Sequence, residues 1–171
     1  MTGVSDDELY RQYETVNLYR TDAGATLELN RPKSLNAWNN QFSLDLLAAI
    51  TEVAEDPGIR ALVVTGAGRA FSSGADLKEA AERAEGGTIN VYERLTERYH
   101  PIIRGLRLMP KPVVAAVNGP AAGIGLSLAL ACDLVVAAES AFFQLAFVNI
   151  GLVPDGGSSL FVPAQIGRAH V

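Results

Sequence analysis

The stretch from Lys111 to Asp133 reads KPVVAAVNGPAAGIGLSLALACD, and it decides the fold. Pro112 to Val117 is apolar and β-branched, which is typical of a buried strand. Asn118-Gly119-Pro120 cannot continue a strand and predicts a tight turn. From Ala121 onward, leucines and alanines favour a helix. The stretch therefore predicts a strand, a turn and a helix in succession.

The first turn of this predicted helix carries little side-chain cover. Its amides lie near Gly123, Ile124 and Gly125, and the amides of a first helical turn have no partner within the helix. The positive end of the helix dipole lies at the same point, so the turn suits an oxygen that carries negative charge. The alternative interpretation is close packing of the helix on a sheet.

A second glycine turn, from Ser72 to Asp76, also follows a strand and precedes a helix. Asp76 alone could simply cap that helix. Two such turns in one small domain instead favour an oxyanion hole, in which two backbone N–H groups converge on one developing negative charge.

The composition favours one globular domain. The chain has 171 residues, of which 49% are hydrophobic and 19% are charged, and its net charge is −5 without a basic cluster. These values predict a sizeable core and argue against a nucleic-acid partner. The apolar region from Val113 to Ala138 is interrupted by polar and turn residues, so we expect core rather than a membrane span. One cysteine, Cys132, and an acidic N-terminus predict a cytoplasmic protein.

Strands and helices alternate along the chain. Residues 1–13 are polar and predict a loose lead-in, and we expect the core domain to cover residues 14–171. The predicted strands are Val16–Tyr19, Ala25–Leu29, Arg60–Thr65, Pro112–Val117, Leu134–Ala137 and Ala141–Gln144. The predicted helices follow Asn39 and Asp76, run from Val91 to Leu108, and begin at Ala121 and Ser158. This alternation predicts an α/β layered domain with parallel strand pairing.

Asp155 and Ser127 are candidate catalytic residues, and the sequence alone does not decide between a catalytic and a structural role for either. Asp155, in Val-Pro-Asp-Gly-Gly, either binds its own turn or acts as a general base whose pKa is raised by an apolar pocket. Ser127 follows Gly125 in a near match to the nucleophile elbow G-x-S-x-G, and His170 follows in hydrolase order. The elbow serine lies on the strand-to-helix turn, however, and Ser127 lies beyond it. His100 has no partner at metal-ligand spacing, so we expect no metal.

Several linked segments resemble the enoyl-CoA hydratase/isomerase family, the crotonase superfamily. In chain order they are LNRPKSLNA at 29–37, ALVVTG at 61–66, FSSGADL at 71–77, KPVVAAVNG at 111–119, ACD at 131–133 and FVNIGLVPDGG at 147–157. The resemblance covers about residues 14 to 169. It implies the crotonase fold, with ββα units in a spiral and two roughly perpendicular sheets. It also implies a coenzyme A thioester substrate, no separate cofactor, and assembly as trimers or hexamers.

The resemblance also implies roles for particular residues. By position in the matched motifs, the oxyanion-hole amides are those of Ala75 and Ile124. The loop from Lys33 to Ala37 matches the segment that holds the adenine end of coenzyme A. The substrate-binding residues implied in the matched segments are Lys33, Leu35, Ala37, Ser73, Gly74, Asp76, Leu77, Gly123, Phe147 and Leu152.

Two positions depart from the hydratases of this family, whose two catalytic glutamates correspond here to Ser127 and Phe147. Neither side chain can ionise, although hydration needs one group for water and another for the α-carbon proton. Asp155 falls where isomerases of the phenylacetate pathway place an acid. The resemblance therefore predicts a double-bond isomerase that uses Asp155. The alternatives are an acyl-CoA-binding protein with little or no catalysis and a serine hydrolase that uses Ser127.

The last residues form another departure. Ile166–Ala169 resembles the start of a helix that family members continue into a helical C-terminal region, whereas His170-Val171 does not match. In the family that region covers the active site and builds the trimer. A chain without it is expected to expose apolar surface and to self-associate.

Overall fold

A computed structural model describes residues 8–78 and 90–165, and it contains two sheets. The strands of the larger sheet are β1 (Glu8–Gln12), β2 (Val16–Arg20), β3 (Ala25–Leu29), β4 (Leu62–Gly66), β5 (Val113–Val117) and β7 (Leu134–Ala137). Their order is β1-β2-β3-β4-β5-β7. The pairs β1–β2 and β2–β3 are antiparallel, and the remaining pairs are parallel. A small parallel sheet joins β6 (Ala121–Ala122) to β8 (Phe143–Gln144).

The described α-helices are α1 (Asn40–Glu55), α2 (Val91–Arg94), α3 (His100–Arg107), α4 (Ile124–Ala131) and α5 (Ser158–Gln165). A π-helical turn, Leu95–Tyr99, joins α2 to α3. Its position just before Pro101 has a physical reason, because proline has no N–H and its ring clashes with the carbonyl four residues earlier. Short 3-10 helices cover Pro32–Ser34 and Ala146–Ile150.

The core lies against the larger sheet, where α1 packs. Alternate residues of β3, β4 and β5 are fully buried, as the period of two in a strand requires. α1 begins where Asn39 Oδ1 accepts a hydrogen bond from the Phe42 amide at 2.8 Å, an N-cap that favours this helix start. Phe42 and Leu46 are fully buried in the core cluster. The core therefore fixes the strands whose ends carry the two glycine turns.

The predicted hairpin is confirmed, since β2 pairs with β3 from Val16–Leu29 to Arg20–Ala25. The α/β class is also confirmed, with a mixed main sheet and a second small sheet. Within the described ranges, no helix is both long enough and apolar enough to cross a membrane.

Three predictions about elements are changed by the structure. The prediction of a loose lead-in is wrong over Glu8–Gln12. This segment forms an exposed edge strand, because its backbone pairs with β2. The helix predicted from Ala121 begins at Ile124, because Ala121–Ala122 pairs with β8 instead. The strand predicted over Ala141–Gln144 is shortened to Phe143–Gln144. Most of the helix predicted after Asp76, and the segment from Ile166 to the end, lie outside the described residues.

Candidate active site

Asn36 attaches the loop before α1 to the chain that follows β4. Its side-chain amide donates to the carbonyl oxygens of Ala67, Ala70 and Phe71 at 3.0, 2.9 and 3.1 Å. Its backbone carbonyl accepts from Ser72 Oγ at 2.8 Å. Asn36 adopts φ 54° and is fully buried, and asparagine tolerates this left-handed region better than most residues. Asn36 therefore ties the segment that leads into the first glycine turn to the loop before α1.

Trp38 extends this attachment to the predicted oxyanion donor. Its amide donates to the Gly74 carbonyl at 2.8 Å, and its carbonyl accepts from the Asp76 amide at 2.9 Å. These two bonds bracket Ala75 in a parallel bridge. They engage the carbonyl of Gly74 and the amide of Asp76, on either side of Ala75, and leave the Ala75 N–H itself available.

The two glycine turns contact each other through their backbones. Gly74 has φ 91° and Gly123 has φ 53°, both in the region that side chains disfavour. A Cβ atom on Gly74 would lie 2.8 Å from the Ala122 carbonyl oxygen and 3.6 Å from Gly123 Cα. Such close approach is possible only without a side chain at position 74. The residues that follow these glycines, Ala75 and Ile124, are therefore brought to one place.

The amide N–H groups of Ala75 and Ile124 donate no hydrogen bond within the described part of the chain. Ile124 is the first residue of α4, so its N–H has no intrahelical acceptor, and no side chain caps this helix. Two unpaired donors on adjoining turns are the arrangement that an oxyanion hole requires.

The loop that carries Asp155 packs on the first turn of α4. A Cβ atom on Gly156 would lie 2.5 Å from Ile124 Cδ1 and 2.7 Å from Ser127 Cβ, so the loop backbone packs closely on these two side chains. Ser127 Oγ donates to the Asp155 carbonyl oxygen at 3.0 Å, and the Ser158 amide donates to the same oxygen at 3.1 Å. The fold thus places Asp155 one helical turn from Ile124.

Among the described residues, Asp155 Oδ1 has no hydrogen-bond partner, although that atom is buried. The turn is closed by its backbone carbonyl, so the interpretation of Asp155 as a side-chain turn former is not supported. Burial raises the pKa of Asp155 to about 6, and the positive charge of Arg94 partly opposes this rise. A buried carboxyl with such a pKa exchanges protons near neutral pH.

Ser127 and Phe147 are the two residues that the family resemblance matches to the catalytic glutamates of hydratases. The Phe147 ring lies over the second turn, with Cζ 3.9 Å from the position of a Cβ atom on Gly123. Ser127 is fully buried, and its hydroxyl is engaged by the Asp155 carbonyl. Within residues 8–78 and 90–165 the Ser127 hydroxyl hydrogen-bonds to backbone carbonyls and to no histidine or carboxylate side chain, and His170 lies outside these residues. Ser127 has a structural hydrogen bond rather than the environment of a nucleophile.

Asp76 combines the predicted cap with a second contact. Its Oδ1 accepts from the Lys78 amide at 3.2 Å, which is the capping interaction that its sequence context suggested. Its Oδ2 accepts from Arg31 Nη2 at 3.1 Å, and Arg31 Nη1 also donates to the Ala37 carbonyl. Arg31 thus joins the loop before α1 to the first glycine turn.

An open groove of about 970 Å³ runs along these two segments. Seven residues predicted from the sequence line it, namely Lys33, Leu35, Ala37, Ser73, Ala75, Asp76 and Leu77. Gly74, Gly123 and Phe147 lie at the contact between the glycine turns. Leu152 is not among the lining residues and is 57% exposed, so the structure does not bring it to the groove.

Several groove residues were not predicted, among them Arg31, Asn39, Arg69 and Lys78. Arg31 lies within the matched segment 29–37 and Lys78 directly follows the segment 71–77, so their charge was a usable signal. Arg69 lies in the turn after β4, and only the folded chain shows that this turn borders the groove. No cluster of three or more metal-ligating side chains occurs among the described residues.

Comparisons with known proteins agree with this geometry. The family model described as "Enoyl-CoA hydratase/isomerase" matches residues 20–171. The protein named "Probable enoyl-CoA hydratase" from Rhodobacter capsulatus is 44% identical over 92% of this chain and 59% of its own length. The 1,2-epoxyphenylacetyl-CoA isomerase of Escherichia coli is 43% identical over 85% of this chain and 55% of its own length.

A solved structure gives the same result. The crystal structure of an enoyl-CoA hydratase from Mycobacterium avium subsp. paratuberculosis superimposes with a TM-score of 0.80 and 39% identity, over 94% of this chain and 62% of that chain. The chain therefore belongs to the enoyl-CoA hydratase/isomerase family and has the crotonase fold. It spans between 55% and 62% of the length of these three proteins.

Proposed function

We propose that this chain acts on an enoyl-CoA thioester and moves its double bond, with Asp155 as the base. The observation that carries this proposal is the Asp155 carboxyl beside the first turn of α4, whose Oδ1 is buried and makes no hydrogen bond within the described residues and whose pKa is raised to about 6. A base with this pKa is mostly ionised at neutral pH and can still return its proton.

The groove supports coenzyme A as the carrier of the acyl group. It is lined by Arg31, Lys33, Arg69 and Lys78, and Arg31 is paired with Asp76. The other three cations make no ion pair within the described residues, and cations of this kind bind phosphate groups, which coenzyme A carries at its pyrophosphate and its ribose. Because Ala75 also lines this groove, a thioester bound along it would present its carbonyl to the glycine turns.

The proposed reaction uses one base, the Asp155 carboxylate, and two hydrogen-bond donors, the amides of Ala75 and Ile124. The ionised Asp155 removes a proton from the α carbon of a 3-enoyl thioester, and the electron pair moves onto the thioester oxygen. The amides of Ala75 and Ile124 donate to that oxygen and stabilise the enolate. The Asp155 carboxylic acid then returns the proton at the γ carbon as the double bond forms between the α and β carbons. No atom is gained or lost, so one carboxyl suffices.

Hydration is less well supported, because the two positions that carry glutamates in family hydratases hold Ser127 and Phe147. Ser127 is engaged with a backbone carbonyl, and Phe147 places an apolar ring over Gly123. The same observation favours a second candidate function, namely acyl-CoA binding with little or no catalysis.

Self-association is proposed as well. Exposed large hydrophobic side chains are concentrated between residues 134 and 160, at Leu134, Val136, Phe142, Phe143, Val148, Ile150, Leu152, Val153 and Leu160. Apolar surface of this kind is typical of an interaction surface. A trimer or hexamer and a cytoplasmic location remain predictions.

The deciding experiment offers the chain a 3-enoyl-CoA and follows formation of the 2-enoyl isomer and of the 3-hydroxy product. We expect the isomer, and we expect Asp155→Asn to lower kcat by about 100-fold or more. Asp22→Asn, a control in the exposed β2–β3 turn, should have no effect. Binding without turnover would support the second candidate, and 3-hydroxyacyl-CoA as main product would contradict the isomerase.

A further inference from the structure

The Asp155 loop, residues 151–157, is attached to α4 at the carbonyl oxygen of Asp155. Ser127 Oγ donates to this oxygen at 3.0 Å, across 28 positions of sequence. The amide and the hydroxyl of Ser158 donate to the same oxygen at 3.1 and 2.9 Å, but Ser158 directly follows the loop and belongs to α5. Among the described residues, Ser127 is therefore the donor that joins this carbonyl to α4.

The backbone of the Asp155 loop rests on the first turn of α4. Gly156 has φ 59° and Gly157 has φ 83°, so the chain turns back in a conformation that glycine adopts far more readily than other residues. A Cβ atom on Gly156 would lie 2.5 Å from Ile124 Cδ1 and 3.0 Å from Ser127 Oγ. The seating of the loop on these two residues therefore sets the position of Asp155 relative to the Ile124 amide.

α5 has a second attachment to α4 that does not involve Ser127. Gln165 Nε2 donates to the Leu130 carbonyl oxygen at 3.2 Å, at the far end of both helices. Ser158, at the near end of α5, is fully buried. Loss of the Ser127 hydroxyl should therefore loosen the Asp155 loop while α5 stays packed on α4.

The space around Ser127 is filled by the Asp155 loop. Ser127 is fully buried, and so are the other residues of α4. A glutamate at this position, which the family resemblance matches to hydratases, is longer than serine and would bring a carboxylate into the space that Gly156 closes. Burial of a charge without a partner is costly. A glutamate at position 127 and the seated loop therefore compete for the same space.

We infer that Ser127 is a positioning residue. Its hydroxyl fixes the Asp155 loop on α4 and keeps the base beside the proposed oxyanion hole, and a glutamate at position 127 would displace that loop. The consequence for catalysis rests on the proposed function. The attachment itself is a property of the protein without substrate.

The first test is a double-mutant cycle on isomerase activity. Ser127→Ala should lower kcat by about 10-fold and change KM by less than about 2-fold, because the base is displaced while the groove is intact. With Asp155→Asn already present, Ser127→Ala should have no further effect, since a residue that acts through Asp155 then has no base to position. Ser43→Ala is the matched control: Ser43 is also buried, and its hydroxyl donates to the Asn39 carbonyl oxygen at 3.3 Å. This control should keep the wild-type kcat.

The second test is hydrogen exchange of the ligand-free chain, which needs no turnover. Ser127→Ala should speed amide exchange in residues 151–157 by about 10-fold or more and leave α1 and α5 protected, whereas Ser43→Ala should not affect the loop. Faster loop exchange in an inactive chain would support the attachment and contradict the proposed function. Ser127→Gly also removes the hydroxyl without adding volume, and it serves as the second variant should Ser127→Ala unfold.

Ser127→Glu tests the competition for space. This variant should speed loop exchange at least as much as Ser127→Ala, and it should lose isomerase activity without forming the 3-hydroxy product. Wild-type loop exchange in Ser127→Ala or in Ser127→Glu would overturn the inference. So would an equal loss of kcat from Ser127→Ala with and without Asp155→Asn, because the serine would then act independently of the base.

Discussion

Gly74 and Gly123 lie backbone against backbone, with Gly123 Cα only 3.6 Å from the position that a Cβ atom on Gly74 would take. Each glycine has a positive φ and immediately precedes one of the two proposed donors, Ala75 and Ile124. The spacing of the two donors therefore depends on this contact, and not on any side chain in the site.

Gly74→Ala should disrupt the site more than the fold. The new methyl group would meet the Ala122 carbonyl oxygen at 2.8 Å and would also strain a backbone at φ 91°. We expect a loss of about 100-fold in kcat and about 1–3 kcal/mol in the free energy of unfolding. Isomerase assays and urea unfolding measure the two effects.

Gly151→Ala provides the matched control. Gly151 also has a positive φ of 68°, but a Cβ atom there would meet no atom within 4 Å. This variant should lose comparable backbone stability with full activity. An equal loss of activity in both variants would show that the Gly74–Gly123 contact has no special role.

Asp155 should destabilise the folded chain at neutral pH. Its pKa is raised to about 6 in the folded state, so the folded state favours the protonated form. Its favourable contribution is complete below the unfolded pKa of about 4 and disappears as the pH rises through about 6. Asp155→Asn should therefore be more stable than wild type at pH 8, by about 1–2 kcal/mol after allowance for partial exposure.

Urea unfolding at several pH values from about 3.5 to about 8 measures this difference in the free energy of unfolding. The advantage of Asp155→Asn should shrink toward zero at the acidic end, because the wild-type carboxyl is then protonated too. A constant difference across this range would mean that the titration of Asp155 does not contribute.

Asn36→Asp should be among the more damaging single-atom changes in the chain. It replaces an amide that donates to three backbone carbonyls with a carboxylate oxygen that cannot donate. Loss of these buried bonds should cost about 3 kcal/mol or more of the free energy of unfolding. Asn39→Asp is the control: within the described residues the Asn39 side chain accepts from the Phe42 amide and donates no hydrogen bond, and aspartate caps a helix equally well. Equal effects of the two variants would exclude the proposed attachment of the loop.

Arg69→Gln should weaken coenzyme A binding, because Arg69 lines the groove and the charge-assisted bond to a phosphate would be lost. We expect the Kd for free coenzyme A to rise by about 5-fold to 10-fold at low salt and less at high salt. Arg60→Gln removes an exposed charge outside the groove residues and should leave the Kd unchanged. Calorimetry at two salt concentrations separates these outcomes.

Local patterns predicted much of the fold. β2, β3 and β5 have clear apolar periodicity, and α1 has a strong cap, so their bounds are predicted within two residues. The two glycine turns were predicted because glycine has few other reasons to stand at a strand end. β1 was missed because its five residues are all exposed, so only backbone pairing with β2 defines it.

The support of the site could not be predicted from local patterns. Asn36 acts on carbonyls more than thirty residues away, and the sequence around it gives no sign of these partners. Asp155 is held beside α4 by the hydrogen bond from Ser127 Oγ to its carbonyl oxygen. This contact depends on the path of the chain after β8, which leaves no periodic signal in the sequence.

Exchange of the α-proton of a saturated acyl-CoA in D₂O tests the central claim most directly, since it needs only the oxyanion hole and the base. We expect the chain to incorporate deuterium at the α carbon. Gly74→Ala and Asp155→Asn should each slow incorporation by about 100-fold or more, and Gly151→Ala should not. Incorporation at the wild-type rate in Asp155→Asn would contradict the role of Asp155 as the base.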